Sequence, residues 1–167
     1  MDKYSNIGRN MNIADKYFRM YLRDELSPYG LNTAEGTVLL TMFSKNPAGV
    51  RTECMHSKYK GGKTQEELIE RLHYDKGVMT RTMKALEKKG YVSRNNNPDD
   101  SRSFVFTLTE QGNDFRNVLI KIMRAWSVIL LARIGDDELE MIGKALDTMS
   151  ENAIGYYNER VTKKSDN

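Results

Sequence analysis

The residues best equipped for chemistry in this chain are cations at helical spacing beside a short polar hairpin. Lys76, Arg81 and Lys84 recur at intervals that place them along one side of a helix, and Asp100, Ser101 and Arg102 sit at the tip of the hairpin that follows. Ammonium and guanidinium groups in such a row bind phosphates, and a guanidinium can also bond a guanine edge in two places. The chemistry on offer is recognition of duplex DNA.

Chemistry of other kinds finds little footing. The sequence has no glycine loop that would cradle a phosphate, no ligand set for a catalytic zinc and no nucleophile with a plausible base nearby, so neither an enzyme nor a bound cofactor or metal is expected. Cys54 and His56, two residues apart, allow a thiol- or metal-responsive sensor as an alternative reading. Two ligands are too few for a stable metal site, and no cations cluster around Cys54 to lower its pKa. An inert thiol in an exposed loop is the plainer expectation. As the only cysteine it can form no disulfide within the chain, and a reducing cytoplasm is the simplest setting. The first ten residues lack the apolar stretch of a signal peptide, and no apolar run is long enough to span a bilayer, so no membrane partner is expected.

The elements that must position the cations can be read from periodicity and punctuation. Ile7, Met11, Ala14, Phe18, Tyr21, Leu22 and Leu26 mark an amphipathic helix over about 6–26, ended by Pro28 and Gly30. Asn32 caps a second helix with Glu35 at the capping-box position, burying Val38, Leu39, Met42 and Phe43, and Asn46 and Pro47 close it. Residues 46–63 show no period and read as a long loop. Thr64 and Glu67 form a second capping box, opening a short helix with apolar Leu68, Ile69 and Leu72. Asp75 caps the next helix, which carries the cations, buries some combination of Val78, Met79, Met83 and Leu86, and stops at Gly90. A strand at 91–94, a turn over Asn95–Asp99 and a strand at 103–108 make a hairpin. Thr109 caps a long helix broken by Gly135, and a last helix covers about 136–160 before a disordered KKSDN end.

Charge is unevenly spread. The net charge is only +3, but cations crowd the segment from Lys60 to Arg102, whereas 136–151 is dominated by acids with Lys144 as its one cation. Only the middle of the chain is expected to meet phosphates. A hydrophobic fraction of 39% and a charged fraction of 29% fit a folded, mainly α unit with a small β hairpin and not a disordered or fibrous chain. The first and the last two helices are more apolar than such a unit can cover by itself, which points to pairing with a second subunit.

In order along the chain, TQEELIERL, DKGVMTRTMKALEKKGYVSR and then DDSR followed by FTLTEQG resemble the MarR family of winged helix-turn-helix regulators; GLNTAEGTVLL is similar to that family's second helix. The resemblance covers nearly the whole chain. It implies a homodimer with an N-terminal dimerisation helix (1–30), a winged helix-turn-helix DNA-binding domain (31–109) and C-terminal dimerisation helices (110–162). It places the recognition helix at 75–89 and the wing at 93–104. It also implies a transcriptional regulator, a repressor in most cases, bound to a pseudo-palindromic operator and released by a small apolar or phenolic effector. The linker at 46–63 is longer than the family's usual one.

On that frame the residues take roles. Lys76, Gly77, Thr80 and Arg81, at the amino-terminal end of the recognition helix, lie nearest base edges, with Arg81 the leading base reader. Lys84 meets phosphate, and Thr64 and Gln65 offer donors to phosphate at a helix start. Arg102 enters a minor groove with Asp100 as its positioning partner, supported by Ser101 and Arg94. The competing reading is a winged-helix module that binds protein, in which these cations are a solvated face. Met11, Tyr17, Phe18, Met20, Tyr21, Met123 and Trp126 are expected in the core, the subunit interface or an effector pocket.

Overall fold

A computed structural model describes residues 3–43 and 62–165 of the 167-residue chain. Asn46, Pro47, Cys54 and His56 lie outside the described residues. The chain divides into two units, the first holding residues 3–43 and 62–127 and the second residues 128–165.

In the first unit, helix α1 (Lys3–Leu26) gives way to a single 3-10 turn over Ser27–Tyr29, whose cap Gly30 adopts a left-handed φ of 65°. Helix α2 (Thr33–Phe43) starts on the expected capping box: Glu35 N–H donates to Asn32 Oδ1 at 2.9 Å, and Asn32 N–H donates to Glu35 Oε2 at 2.8 Å. Glu35 has a second task that local sequence does not reveal. Its carboxylate is 1% exposed and accepts Lys89 Nζ at 2.7 Å, while the same ammonium donates to Gly30 O at 2.7 Å. Residues 54 positions apart thereby tie the start of α2 to the end of the cation-bearing helix.

Strand β1 (Gly62–Thr64) leads into helix α3 (Gln65–Leu72), then helix α4 (Lys76–Lys88), strands β2 (Val92–Asn97) and β3 (Asp100–Leu108), and helix α5 (Glu110–Leu130). The strands form one antiparallel sheet in the order β1-β3-β2. Leu26, Val38, Leu39, Leu68, Met79, Met83, Leu86, Phe115 and Leu119 are among the side chains that close the core between the helices and this sheet. On α1, Phe18 and Tyr21 pack against Trp126 at centroid distances of 5.6 and 5.2 Å, and Tyr21 donates to Ile122 O at 3.1 Å. Burial, with a contribution from Glu25, pushes the Tyr21 phenol up. These rings are core packing.

Three expectations require correction within this unit. The aperiodic stretch reaching Lys63 is not loop to its end: Gly62 and Lys63 belong to β1, paired with Thr107 and Phe106. Pairing is supplied by β3 and not by any alternation in the strand's own sequence, and a Cβ on Gly62 would collide with Val105 Cγ1. The turn in the wing is tighter than Asn95–Asp99. Asn95 and Ser93 bond Thr107 Oγ1 across the strands, and Asn97, with its amide on Ser103 Oγ at 2.7 Å, accepts Asp99 N–H at 3.0 Å. The asparagines thus extend β2, and the turn shrinks to Pro98 and Asp99, so Asp100, Ser101 and Arg102 begin β3. Helix α5 ends at Leu130, ahead of Gly135.

Thr109 caps α5 as expected, its Oγ1 accepting Gly112 N–H at 3.0 Å and donating to Gly90 O at 2.6 Å. In the second unit, Gly135 N–H donates to Glu138 Oε2 at 3.0 Å at the start of helix α6 (Asp136–Ser165), whose acidic first turn complements the helix dipole. The helix continues through Lys163–Ser165, which were expected to be disordered. Along α6, Met141, Ile142, Leu146, Tyr156 and Tyr157 are exposed, as are Val128, Ile129 and Leu130 at the end of α5. No described helix is long and apolar enough to cross a membrane.

Candidate nucleic-acid interface

Two caps set the geometry of the helix pair. Thr64 Oγ1 accepts Glu67 N–H at 3.2 Å while Thr64 N–H donates to Glu67 Oε2 at 2.7 Å, which fixes the start of α3. His73 then turns the chain in a left-handed conformation (φ 51°), and Asp75 Oδ1 accepts Val78 N–H at 2.8 Å to start α4. With Met79, Thr82, Met83 and Leu86 buried, the helical period leaves Lys76, Gly77, Arg81 and Lys84 exposed. Val78 is half-buried.

Helices α3 and α4 and the wing enclose a cleft of about 290 Å3. Gln65, Lys76, Thr80, Lys84, Arg94 and Arg102 line it, all expected site residues, around a floor of Met83, Phe104 and Phe106. Four cations face two carboxylates there, Glu66 and Glu87, so the walls are net positive. The Arg94 guanidinium carbon lies 3.3 Å from the centroid of the Phe104 ring, a stacked cation–π contact that holds the cation in place. The aromatic support was not anticipated, because Phe104 read simply as a strand residue.

The remaining expected residues are arranged differently. Arg81 projects from α4 outside the cleft lining, exposed, with Nη1 3.6 Å from where a Cβ on Gly77 would stand. A Cβ on Gly77 would meet that guanidinium only at ordinary contact distance. Asp100 Oδ1 accepts the main-chain N–H of Arg102 at 2.9 Å, so the acid shapes the backbone that carries the arginine. Ser101 is exposed on the same strand. Thr64 is 8% exposed, and its hydroxyl oxygen serves the cap.

One hydrogen-bonded link joins two expected contact residues to each other. Gln65 Nε2 donates to Thr80 Oγ1 at 2.8 Å, and that hydroxyl donates to Lys76 O at 2.7 Å. A pair of cations to which spacing gives no role lies nearby in the chain. Lys63 is 8% exposed, and its ammonium is pushed down by burial and by Arg71, with Glu67 opposing. Burial also lowers Arg71, whose Nη1 is buried and has no hydrogen-bond partner among the described residues. Among the described residues no three His, Cys, Asp or Glu side chains are grouped to hold a metal.

Comparison with known proteins places this geometry. The model of the MarR family matches residues 58–104, which contain α3, α4 and most of the wing. The HTH-type transcriptional regulator SarZ of Staphylococcus epidermidis is 42% identical over 102 residues, 61% of this chain and 59% of that protein. The chain thus spans about six-tenths of the length of the curated relatives it matches. A MarR transcriptional regulator from Methanosarcina mazei Go1 superposes with a TM-score of 0.78 at 26% identity, covering 91% of this chain and 99% of that one. A mutant MarR from E. coli, solved in complex with operator DNA, shares the fold at a TM-score of 0.68 and 23% identity, over 89% of this chain and 99% of its own.

Proposed function

Because this chain is a MarR-family winged-helix protein, we propose that it is a cytoplasmic, homodimeric transcriptional regulator that binds duplex DNA through the cleft between α4 and the wing. The observation that carries this reading is the net positive cleft itself, with Lys76 and Lys84 on one wall and Arg94 and Arg102 on the other. Cations on α4 and on the wing beside it can bond phosphates on either side of a groove that α4 enters. Arg81, held over Gly77, is the base reader. Arg102 reaches the neighbouring minor groove, and Lys84 and Arg94 take phosphates. Ser101 is a supporting contact. Thr64 keeps its helix cap, and the hydroxyl proton that the cap leaves free is a donor to phosphate.

A second copy covers the apolar side chains that one chain leaves exposed: Ile7, Met11, Tyr17 and Met20 on α1, and Met141, Leu146 and Tyr156 on α6. Repression, with release by a small apolar or phenolic effector acting on these helices, completes the reading. Selection of bound duplexes from a random pool tests it. Recovery of a two-fold motif with half-sites about 10 base pairs apart is the expected outcome; a pool that never enriches contradicts it.

A further inference from the structure

We infer that Thr80 reads the 5-methyl group of a thymine, with Gln65 as the residue that positions it; this rests on the DNA-binding reading above. A threonine hydroxyl has one proton and two lone pairs. The Thr80 proton goes to Lys76 O at 2.7 Å, and the oxygen accepts Gln65 Nε2 at 2.8 Å. The opposite amide orientation would set two acceptors, Gln65 Oε1 and Lys76 O, against a single proton, so the assignment is fixed by the network.

With its proton used, Thr80 cannot donate to the acceptors that dominate the major-groove edge, which are guanine N7 and O6, adenine N7 and thymine O4, nor to a phosphate. Its oxygen keeps one lone pair that can accept from adenine N6 or cytosine N4, and the apolar group it adds to the cleft is its methyl. The thymine 5-methyl is the apolar group on that edge, and Lys76 and Lys84, one turn to either side of Thr80, line the same cleft. Gln65 acts from α3, across the turn, so that the helix pair and the presentation of Thr80 are set together.

The test uses the full chain and a selected duplex in which each thymine is replaced in turn by deoxyuridine, which lacks only the methyl. Wild type is expected to lose about fourfold in affinity at one thymine per half-site, the equivalent of one buried methyl group. Thr80→Ser keeps both hydrogen bonds and should bind the thymine and uracil duplexes alike. Gln65→Leu removes the amide that positions the Thr80 side chain and should bring the affinities for the thymine and uracil duplexes closer together. Specific binding with no thymine dependence in wild type overturns the inference alone, as does discrimination that survives in Thr80→Ser or is undiminished in Gln65→Leu. Absence of any preferred duplex overturns the DNA reading and this inference with it.

Discussion

Gly77 shows how a small residue can be placed by the needs of a larger one. A Cβ there would stand 3.1 Å from Asp75 Oδ1, so that the cap would have to give by a few tenths of an ångström, and 3.6 Å from Arg81 Nη1, an ordinary contact. Gly77→Ala should therefore weaken binding to a selected duplex several-fold. Its thermal stability should change little, because the roughly 0.5–1 kcal/mol by which alanine favours a helix over glycine offsets the tighter cap; unchanged affinity would refute this role for Gly77. Lys63 illustrates an opposite cost. Its folded-state pKa is depressed below the ordinary 10.5, so the charged ammonium destabilises the fold at neutral pH. The stability that this group costs returns as pH rises through the depressed pKa towards 10.5, where the unfolded chain also gives up its proton. Denaturation of Lys63→Met should show higher stability than wild type at pH 7, with the gap narrowing at alkaline pH. The exposed cations were legible residue by residue from helical spacing. The link from Gln65 to Thr80 was not, because a helix-start amide reads equally well as a cap, a link to another helix or a donor to a ligand.

At the scale of elements, α4 is fastened at its carboxyl-terminal end by a distant segment and linked to α3 through Gln65 and Thr80. Removing Lys89 leaves Glu35 buried with its charge unmatched, so Lys89→Ala should cost about 3 kcal/mol in chemical denaturation. Adding Glu35→Gln should restore part of that cost, and an unaltered midpoint in the single variant would show that the pair does not fasten the helix. The exit from the wing is similarly constrained. A Cβ on Gly112 would collide with Tyr91 O, which cannot retreat freely because it accepts Thr109 N–H at 3.1 Å. Gly112→Ala is expected to destabilise by about 2 kcal/mol, as overpacking against backbone does. The capping boxes at Asn32 and Thr64 and the caps at Asp75 and Thr109 were readable because each signal lies within four residues. Strand β1 and the short turn of the wing were not, since the first depends on pairing with β3 and the second on where the Asn95 and Asn97 side chains find partners.

For the whole molecule, the decisive quantity is where charge lies. A net charge of +3 says little, yet the cleft gathers four cations against two acids, while α6 begins with three acids in its first turn. Removing a cation that meets a phosphate should flatten the salt dependence of DNA affinity by about 0.9 log units per log unit of salt. Lys84→Ala should lower that slope and weaken all sequences alike, whereas Arg81→Ala should relax preference at one base position; identical behaviour of the two would contradict the division of labour. Sedimentation should give a mass twice that of one chain, as two half-sites require. Central to the proposed function is that α4 and the wing together hold the duplex. Its most direct test is the affinity of the Arg81→Ala, Arg102→Ala double variant for a selected operator, measured beside its thermal unfolding. The expected result is an affinity weaker by at least about 100-fold, the combined weight of a base contact worth roughly 1–3 kcal/mol and a groove anchor, with unfolding unchanged because both side chains are exposed. Wild-type affinity in that variant would contradict it.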